Sequence, residues 1–411
     1  MRSTSTSSLI WISGLLLSPL SLCSVLSSSP RADEPNVVDL GYVKYRGSFN
    51  ETFPNTVAYL GIPYAEPPLG NLRFRNPVPL NKTRISQEAG EEVIDATDSF
   101  FADGGAGGAG NEDCLKVNVY APQVAKPGDD FTACIVLHPR WRSMAIQLPS
   151  PSNTGLLKVP TVVIVSVYYR LDSFGFLAIP EFSDSSMGDM NAGFQNQTQA
   201  LRWIQENIKD WESAGGGSVE LHLVAIDQEG LFSGAIAQSV YRSPTITLEQ
   251  RQPLFDFYSN QAGCGDVSVP NIERVACLRN ASISALARAQ DAAAQTFNGS
   301  YRLFVPVQDG KIITAPPTSL FESGQFWKVP IMVGATSNES VADLSGTIAS
   351  IMLRRFPGLD DVDIREFEAV TLEASSWEAC TRLPHGDPNT EPTFQVVRCS
   401  KPKGPKYRGP K

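Results

Sequence analysis

The apolar residues of this chain fall into blocks whose period changes along its length. Leu9 to Leu26 is an apolar block behind Met1 and Arg2. Its core, Leu9–Leu22, is long enough for the hydrophobic region of a secretory signal and short for a membrane span. Val37 to Phe74 gives short β-prone runs broken by turns, such as Val43–Gly47. Ala133–Leu137 and Thr161–Val167 are apolar without alternation, as strands buried on both faces of a parallel sheet require. From Gly188 onward the period becomes helical. Ala200, Leu201, Ile204 and Ile208 share one face, while Gln205, Glu206 and Lys209 face out. No internal repeat appears, and no linker interrupts residues 37–340. Residues 400–411 are basic and rich in Pro and Gly, a composition that buries no core.

Composition narrows the partners. At 411 residues, 42% hydrophobic and 19% charged, the chain is an ordinary soluble globular protein with room for a large core. A net charge of −9 argues against nucleic acid or an anionic membrane as partner. Small residues from Cys23 to Ser29 offer cleavage sites, so residues 1–28 are expected to form a signal peptide and the chain to be secreted. No later segment is apolar enough to cross a bilayer. Asn50, Asn81, Asn196, Asn280, Asn298 and Asn338 each open an N-x-[ST] sequon, which makes them candidate glycan acceptors in a secreted chain. Beyond Cys23 six cysteines remain. Cys264 and Cys277 are close enough in sequence to bridge locally, and Cys114, Cys134, Cys380 and Cys399 have no evident pairing. No His/Cys/carboxylate group has ligand spacing, so neither metal nor cofactor is implied.

The chemistry centres on Trp211-Glu212-Ser213-Ala214-Gly215-Gly216-Gly217-Ser218. A serine followed by small residues and then an amphipathic run is the sequence form of a nucleophile elbow, a sharp strand-to-helix turn that lifts the hydroxyl clear. The helix beyond it aims N–H groups at developing negative charge. The full pattern is G-x-S-x-G, and Trp211 stands where its first glycine belongs. A serine also needs a histidine to take its proton. His222 lies nine residues after Ser213 on the following helix, about 13 Å along its axis, and reads as a packing or capping residue. His385 follows Ser213 and Glu339 in the α/β-hydrolase order of triad residues.

Two longer runs, Tyr59–Phe74 and Glu112–Pro122, resemble the type-B carboxylesterases, the family of cholinesterases, fungal lipases and neuroligin-like adhesion proteins. The resemblance implies an α/β-hydrolase fold with a mostly parallel central sheet flanked by helices over residues 29–375, an atypical tail over 376–411, and a secreted fungal source. It implies an ester hydrolase acting on a small-molecule ester or lipid, with Ser213 as nucleophile, Glu339 as the acid and His385 as candidate base. The alternative is a non-catalytic member serving as a binding or adhesion module. Arg73 and Glu112 match a buried ion pair that ties the N-terminal sheet to the main one. Cys264 and Cys277 match a family disulfide, whereas the partner that Cys114 normally bridges is missing.

The departures are as specific as the matches. The family's oxyanion loop is His-Gly-Gly-Gly, and here His138 is followed by Pro139 and Arg140. Proline has no N–H to donate, so the hole that His138, Pro139 and Ala214 would form is degraded. Between Ile208 and Glu212 the family's turn and elbow strand are missing, which predicts Ser213 on a helix end or irregular turn. The C-terminal part is likewise incomplete. Each defect removes a whole piece while its flanks stay family-like, the pattern left by lost or misread exons.

Overall fold

Eleven strands and eight α-helices are described in the computed structural model, which covers residues 36–50, 53–97, 111–126, 129, 131–137, 162–208, 211–214, 216–238, 240, 247–297 and 303–334. The strands are β1 (Val37–Asp39), β2 (Lys44–Arg46), β3 (Ser48–Asn50), β4 (Phe53–Pro63), β5 (Val93–Asp95) and β6 (Lys116–Pro122). Then follow β7 (Thr132–Val136), β8 (Val162–Val167), β9 (Trp211–Ala214), β10 (Gly234–Gln238) and β11 (Ile331–Gly334). The helices are α1 (Lys82–Ala89), α2 (Asp172–Phe176), α3 (Ala192–Asn207), α4 (Gly216–Val224), α5 (Leu248–Gln261), α6 (Asn271–Asn280), α7 (Ile283–Thr296) and α8 (Pro317–Glu322).

Eight strands form one sheet in the order β11-β10-β9-β7-β8-β6-β4-β3. From β11 to β8 every pairing is parallel, and from β8 to β3 every pairing is antiparallel. The parallel part is made by the uniformly apolar runs. Ala133, Ile135 and Val165 are fully buried, and Val163 nearly so, because helices cover both faces. A second sheet, β1-β2-β5, carries the N-terminal runs. The register of β4 on β6 slips between Tyr59 and Ile62, where Gly61 takes a φ of +75°. The amide of Gly61, displaced from the ladder, is accepted by the buried Asn118 side chain at 2.9 Å.

The core has two parts. One lies on the sheet, around Val117, Ile135, Val165, Leu201 and Ile204. The other joins Phe194 and Phe74 to Phe255, Tyr258, Leu278 and Leu286 from α5, α6 and α7. Arg170 is buried among acceptors: its Nε donates to Asn196 Oδ1 at 2.9 Å and its Nη groups donate to the carbonyls of Leu72 and Arg75. Space for it depends on two glycines. A Cβ on Gly175 would lie 2.2 Å from the Arg170 carbonyl oxygen, and one on Gly193 would lie 2.5 Å from it.

The matched ion pair is present and bidentate. Arg73 donates from Nε to Glu112 Oε1 at 2.7 Å and from Nη2 to Oε2 at 2.5 Å. Its Nη1 donates to the carbonyls of Leu278, Arg279 and Ala281, the end of α6. The guanidinium thus satisfies carbonyls that a helix C-terminus leaves unpaired. The tie runs from Glu112 to α6, where the resemblance had it joining two sheets. Cys264 and Cys277 are disulfide-bonded, linking the turn after α5 to α6. Cys114 is a free thiol, and burial pushes its pKa up to about 11.

One expectation is overturned. An elbow strand is present: β9 fills the gap between β7 and β10. Helix α3 stops at Asn207, and Ile208 is already extended at φ −136°, ψ 118°. That early stop leaves enough chain for a four-residue strand. The facing backbone groups of β7 and β10 would otherwise lack partners, and an extended segment of almost any sequence can supply them.

Candidate active site

Ser213 is the third residue of β9, opposite Ile135 of β7 on one side and Ala235 of β10 on the other. Ala214, the candidate oxyanion donor, is flanked by Val136 and Ile236. Both therefore lie inside the ladder, with neighbouring backbones about 4.8 Å away on each side. A nucleophile elbow instead places its serine beyond the strand, at the turn. Helix α4 begins at Gly216, three residues after Ser213. Its N-terminal N–H groups open at the end of the parallel sheet where ligands of α/β folds collect. Glu339, His385, His138 and Pro139 lie outside the described residues, so the proposed triad and oxyanion loop are placed only through Ser213 and Ala214.

His222 is described, and it is engaged elsewhere. It sits on α4, 1% exposed, stacked on Phe194 with ring centroids 4.4 Å apart. Nδ1 is 2.8 Å from Gln228 Oε1 and Nε2 is 3.0 Å from the Gln197 side-chain amide. The Gln228 NH₂ donates to Thr198 Oγ1 and the Ile226 carbonyl, which fixes its oxygen toward Nδ1–H. Burial lowers the His222 pKa to about 4, so the ring is neutral and carries one N–H. The Gln197 amide must then give an N–H to Nε2 and turn its oxygen to the Ser218 hydroxyl, 3.1 Å away. Both ring nitrogens are occupied, which matches a packing role and leaves no lone pair for Ser213.

This buried network anchors α4, the helix that follows the candidate nucleophile, to α3. Sequence reasoning missed it, although a signal was there. Asn196 and Gln197 precede Ala200 and Leu201 by four residues, so two amides fall on the apolar stripe of α3. Polar residues on a buried stripe call for partners. Asn196 is itself a correction: its side chain is fully buried and bonded to Arg170, so it cannot carry a glycan in this fold. Asn81 and Asn280 are exposed; the first caps α1 by accepting from Arg84 N, and the second donates to the Ala276 carbonyl. The Asn50 side chain, Asn298 and Asn338 lie outside the described residues.

Among the described residues no group of three His, Cys, Asp or Glu could hold a metal ion, and no helix is long and apolar enough to cross a membrane.

Comparison with known proteins gives one consistent answer. The model of the carboxylesterase family matches residues 34–355. A cholinesterase of Mus musculus is 30% identical over 369 residues, covering 83% of this chain and 58% of its own. An acylcarnitine hydrolase of Mus musculus is 29% identical, covering 68% of this chain and 51% of its own. The chain thus spans about half the length of the curated relatives it matches. Among solved structures, EstA of Aspergillus niger superimposes with a TM-score of 0.64 at 26% identity, covering 81% of this chain and 67% of that one.

Proposed function

The chain belongs to the carboxylesterase family, and we propose on that premise that it is a secreted carboxylic ester hydrolase whose catalysis is weakened in this chain. Ser213 is the nucleophile, Glu339 orients the base, His385 is the candidate base, and Ala214 with the His138–Pro139 segment forms the remnant of an oxyanion hole. The substrate is a small-molecule ester or lipid. The observation that carries this reading is the position of Ser213 on β9, the strand between β7 and β10, three residues before the start of α4.

The weakening has a physical basis. Losing one oxyanion donor costs on the order of 10²–10³ in rate, and the glycine run that supplies those donors is absent from this sequence. A serine held inside the ladder is also set back from the turn where an acyl group would meet it. The same placement supports a second reading, a non-catalytic binding module. A fluorophosphonate probe separates the two. Labelling that disappears in Ser213→Ala, together with slow Ser213-dependent hydrolysis of p-nitrophenyl acetate, supports the hydrolase. An unlabelled Ser213 in folded protein overturns it and leaves the binding module.

A further inference from the structure

Three of the sequon asparagines have described side chains, and the fold treats them differently. Asn81 is exposed and caps α1 through Oδ1, which leaves Nδ2 out of the cap. Asn280 is exposed too, and its Nδ2 gives one of its two N–H groups to the Ala276 carbonyl. A sugar on either nitrogen would stand in solvent with those bonds kept. Asn196 is the opposite case. Its side chain is fully buried, and its Oδ1 accepts from the Arg170 backbone N–H at 3.3 Å and from Nε at 2.9 Å. Its Nδ2 is shut away from solvent with no partner. Gln197 and Thr198, the rest of that sequon, are buried as well.

An N-linked glycan is added to an unfolded stretch of chain, so the fate of a sequon depends on how long it stays open. Helix α3 cannot secure itself early. At 16 residues, with Gly193, Asn196 and Thr198 inside it, α3 is marginal in water until it packs. Its partners come late in the chain. Gln228, which donates to Thr198 and holds His222 against Gln197, lies 30 residues beyond Thr198. Asn191, the N-cap residue of α3, exchanges hydrogen bonds with the backbone of Val307, 116 residues further on. At about 5–20 residues per second, Val307 follows Asn191 out of the ribosome by roughly 6–23 s. For that interval the sequon is within reach of a transferase.

Resting on the secreted reading above, we infer that Asn196 accepts an oligosaccharide in chains whose α3 packs too slowly, and that the glycan then bars those chains from the native fold. In the transfer, Nδ2 forms a bond to the anomeric carbon of a lipid-linked oligosaccharide. The glycosyl–phosphate bond breaks, the lipid pyrophosphate leaves, and Nδ2 loses one proton to a base of the transferase. The product cannot be folded away. A sugar on Nδ2 would have to lie in the core beside Arg170, whose guanidinium is fixed by Asn196 and by the carbonyls of Leu72 and Arg75. The sequon therefore sorts chains by folding speed: early packing protects Asn196, and late packing marks it.

The test is expression of the full chain in a eukaryotic secretory host, with glycan occupancy mapped on peptides from the secreted and the retained fractions. Secreted chain is expected to carry glycans at Asn81 and Asn280 and none at Asn196, and retained chain to carry all three. Dithiothreitol delays the Cys264–Cys277 bridge, and with it the helical core that packs on Phe194. It should raise Asn196 occupancy about twofold or more and leave Asn81 and Asn280 unchanged. Thr198→Val abolishes the sequon with a side chain of similar shape and takes one hydrogen bond from the folded chain. A merely structural role for Thr198 predicts less secreted protein; about twofold more is expected. The inference is overturned by secreted, folded protein glycosylated at Asn196, by retained chain empty there, by occupancy indifferent to dithiothreitol, or by a lower yield of Thr198→Val. Chains without a glycan at Asn81, Asn196 or Asn280 in either fraction would instead remove the secreted reading, and this inference with it.

Discussion

His222 couples acidity to folding. Burial lowers its pKa from 6.5 to about 4, and the hydrogen bond with Gln228 offsets this only in part. Above pH 6.5 the ring is neutral in folded and unfolded chains alike, and the fold keeps its full stability. As the pH falls from 6.5 toward 4, the unfolded chain takes up a proton that the folded one refuses. At about 1.4 kcal/mol per unit, about 3 kcal/mol of stability is lost across that window. Urea midpoints measured at pH 7 and pH 4.5 should therefore fall further for wild type than for His222→Gln, whose amide can still give one hydrogen bond and accept one. Equal slopes for the two proteins would remove His222 from the account. Arg170 imposes a different constraint, through shape. Gly193→Ala would drive a Cβ into the Arg170 carbonyl and the Phe176 ring, both within 2.7 Å. Neither can retreat without disturbing packed neighbours. A loss of about 1–3 kcal/mol is expected, read as a lower denaturant midpoint with an unchanged slope.

At the scale of elements, the disulfide between Cys264 and Cys277 closes a short loop between α5 and α6. Replacing both cysteines by alanine should cost about 3 kcal/mol if chain entropy dominates, and reduced wild type should melt with the double variant. The strands and helices also show where sequence reasoning reaches and where it stops. Strands β7 and β8 and helix α3 were legible because burial on a fixed face leaves a period in the sequence. Strand β9 was not. Trp211–Ala214 has no apolar run and owes its conformation to the backbones on either side, a tertiary demand that no local pattern encodes. The pairing of Gln197 and Gln228 with His222 was hidden for a related reason: it joins residues of α3 and the segment after α4 that meet only once the sheet has formed. The Arg73–Glu112 pair was readable because both residues sit in long, specific runs. Its grip on the carbonyls of α6 was not, since those acceptors are backbone and leave no mark on residue identity.

Across the whole molecule, Arg73 is a clamp between segments far apart in the chain. It holds Glu112 and the end of α6, more than 200 residues away from it. Arg73→Met would leave a carboxylate at 12% side-chain exposure without its partner and three carbonyls without a donor. A loss of about 3–5 kcal/mol is expected from chemical denaturation, and a loss under about 1 kcal/mol would show that the clamp is dispensable. Two residues beyond Glu112 lies Cys114, whose neighbours include both Glu112 and Arg170. With its pKa near 11, about one thiol in ten thousand is ionised at pH 7, and that fraction is the form that reacts. Cys114 is therefore a silent timer set into the clamp. While the protein holds together, a disulfide-exchange reagent meets a half-buried thiol that is almost entirely protonated. Each opening that removes the groups packed around the thiol restores ordinary reactivity and leaves a mixed disulfide. Counting marked Cys114 by peptide mapping over hours would record how often the packing around Glu112 and Arg170 opens.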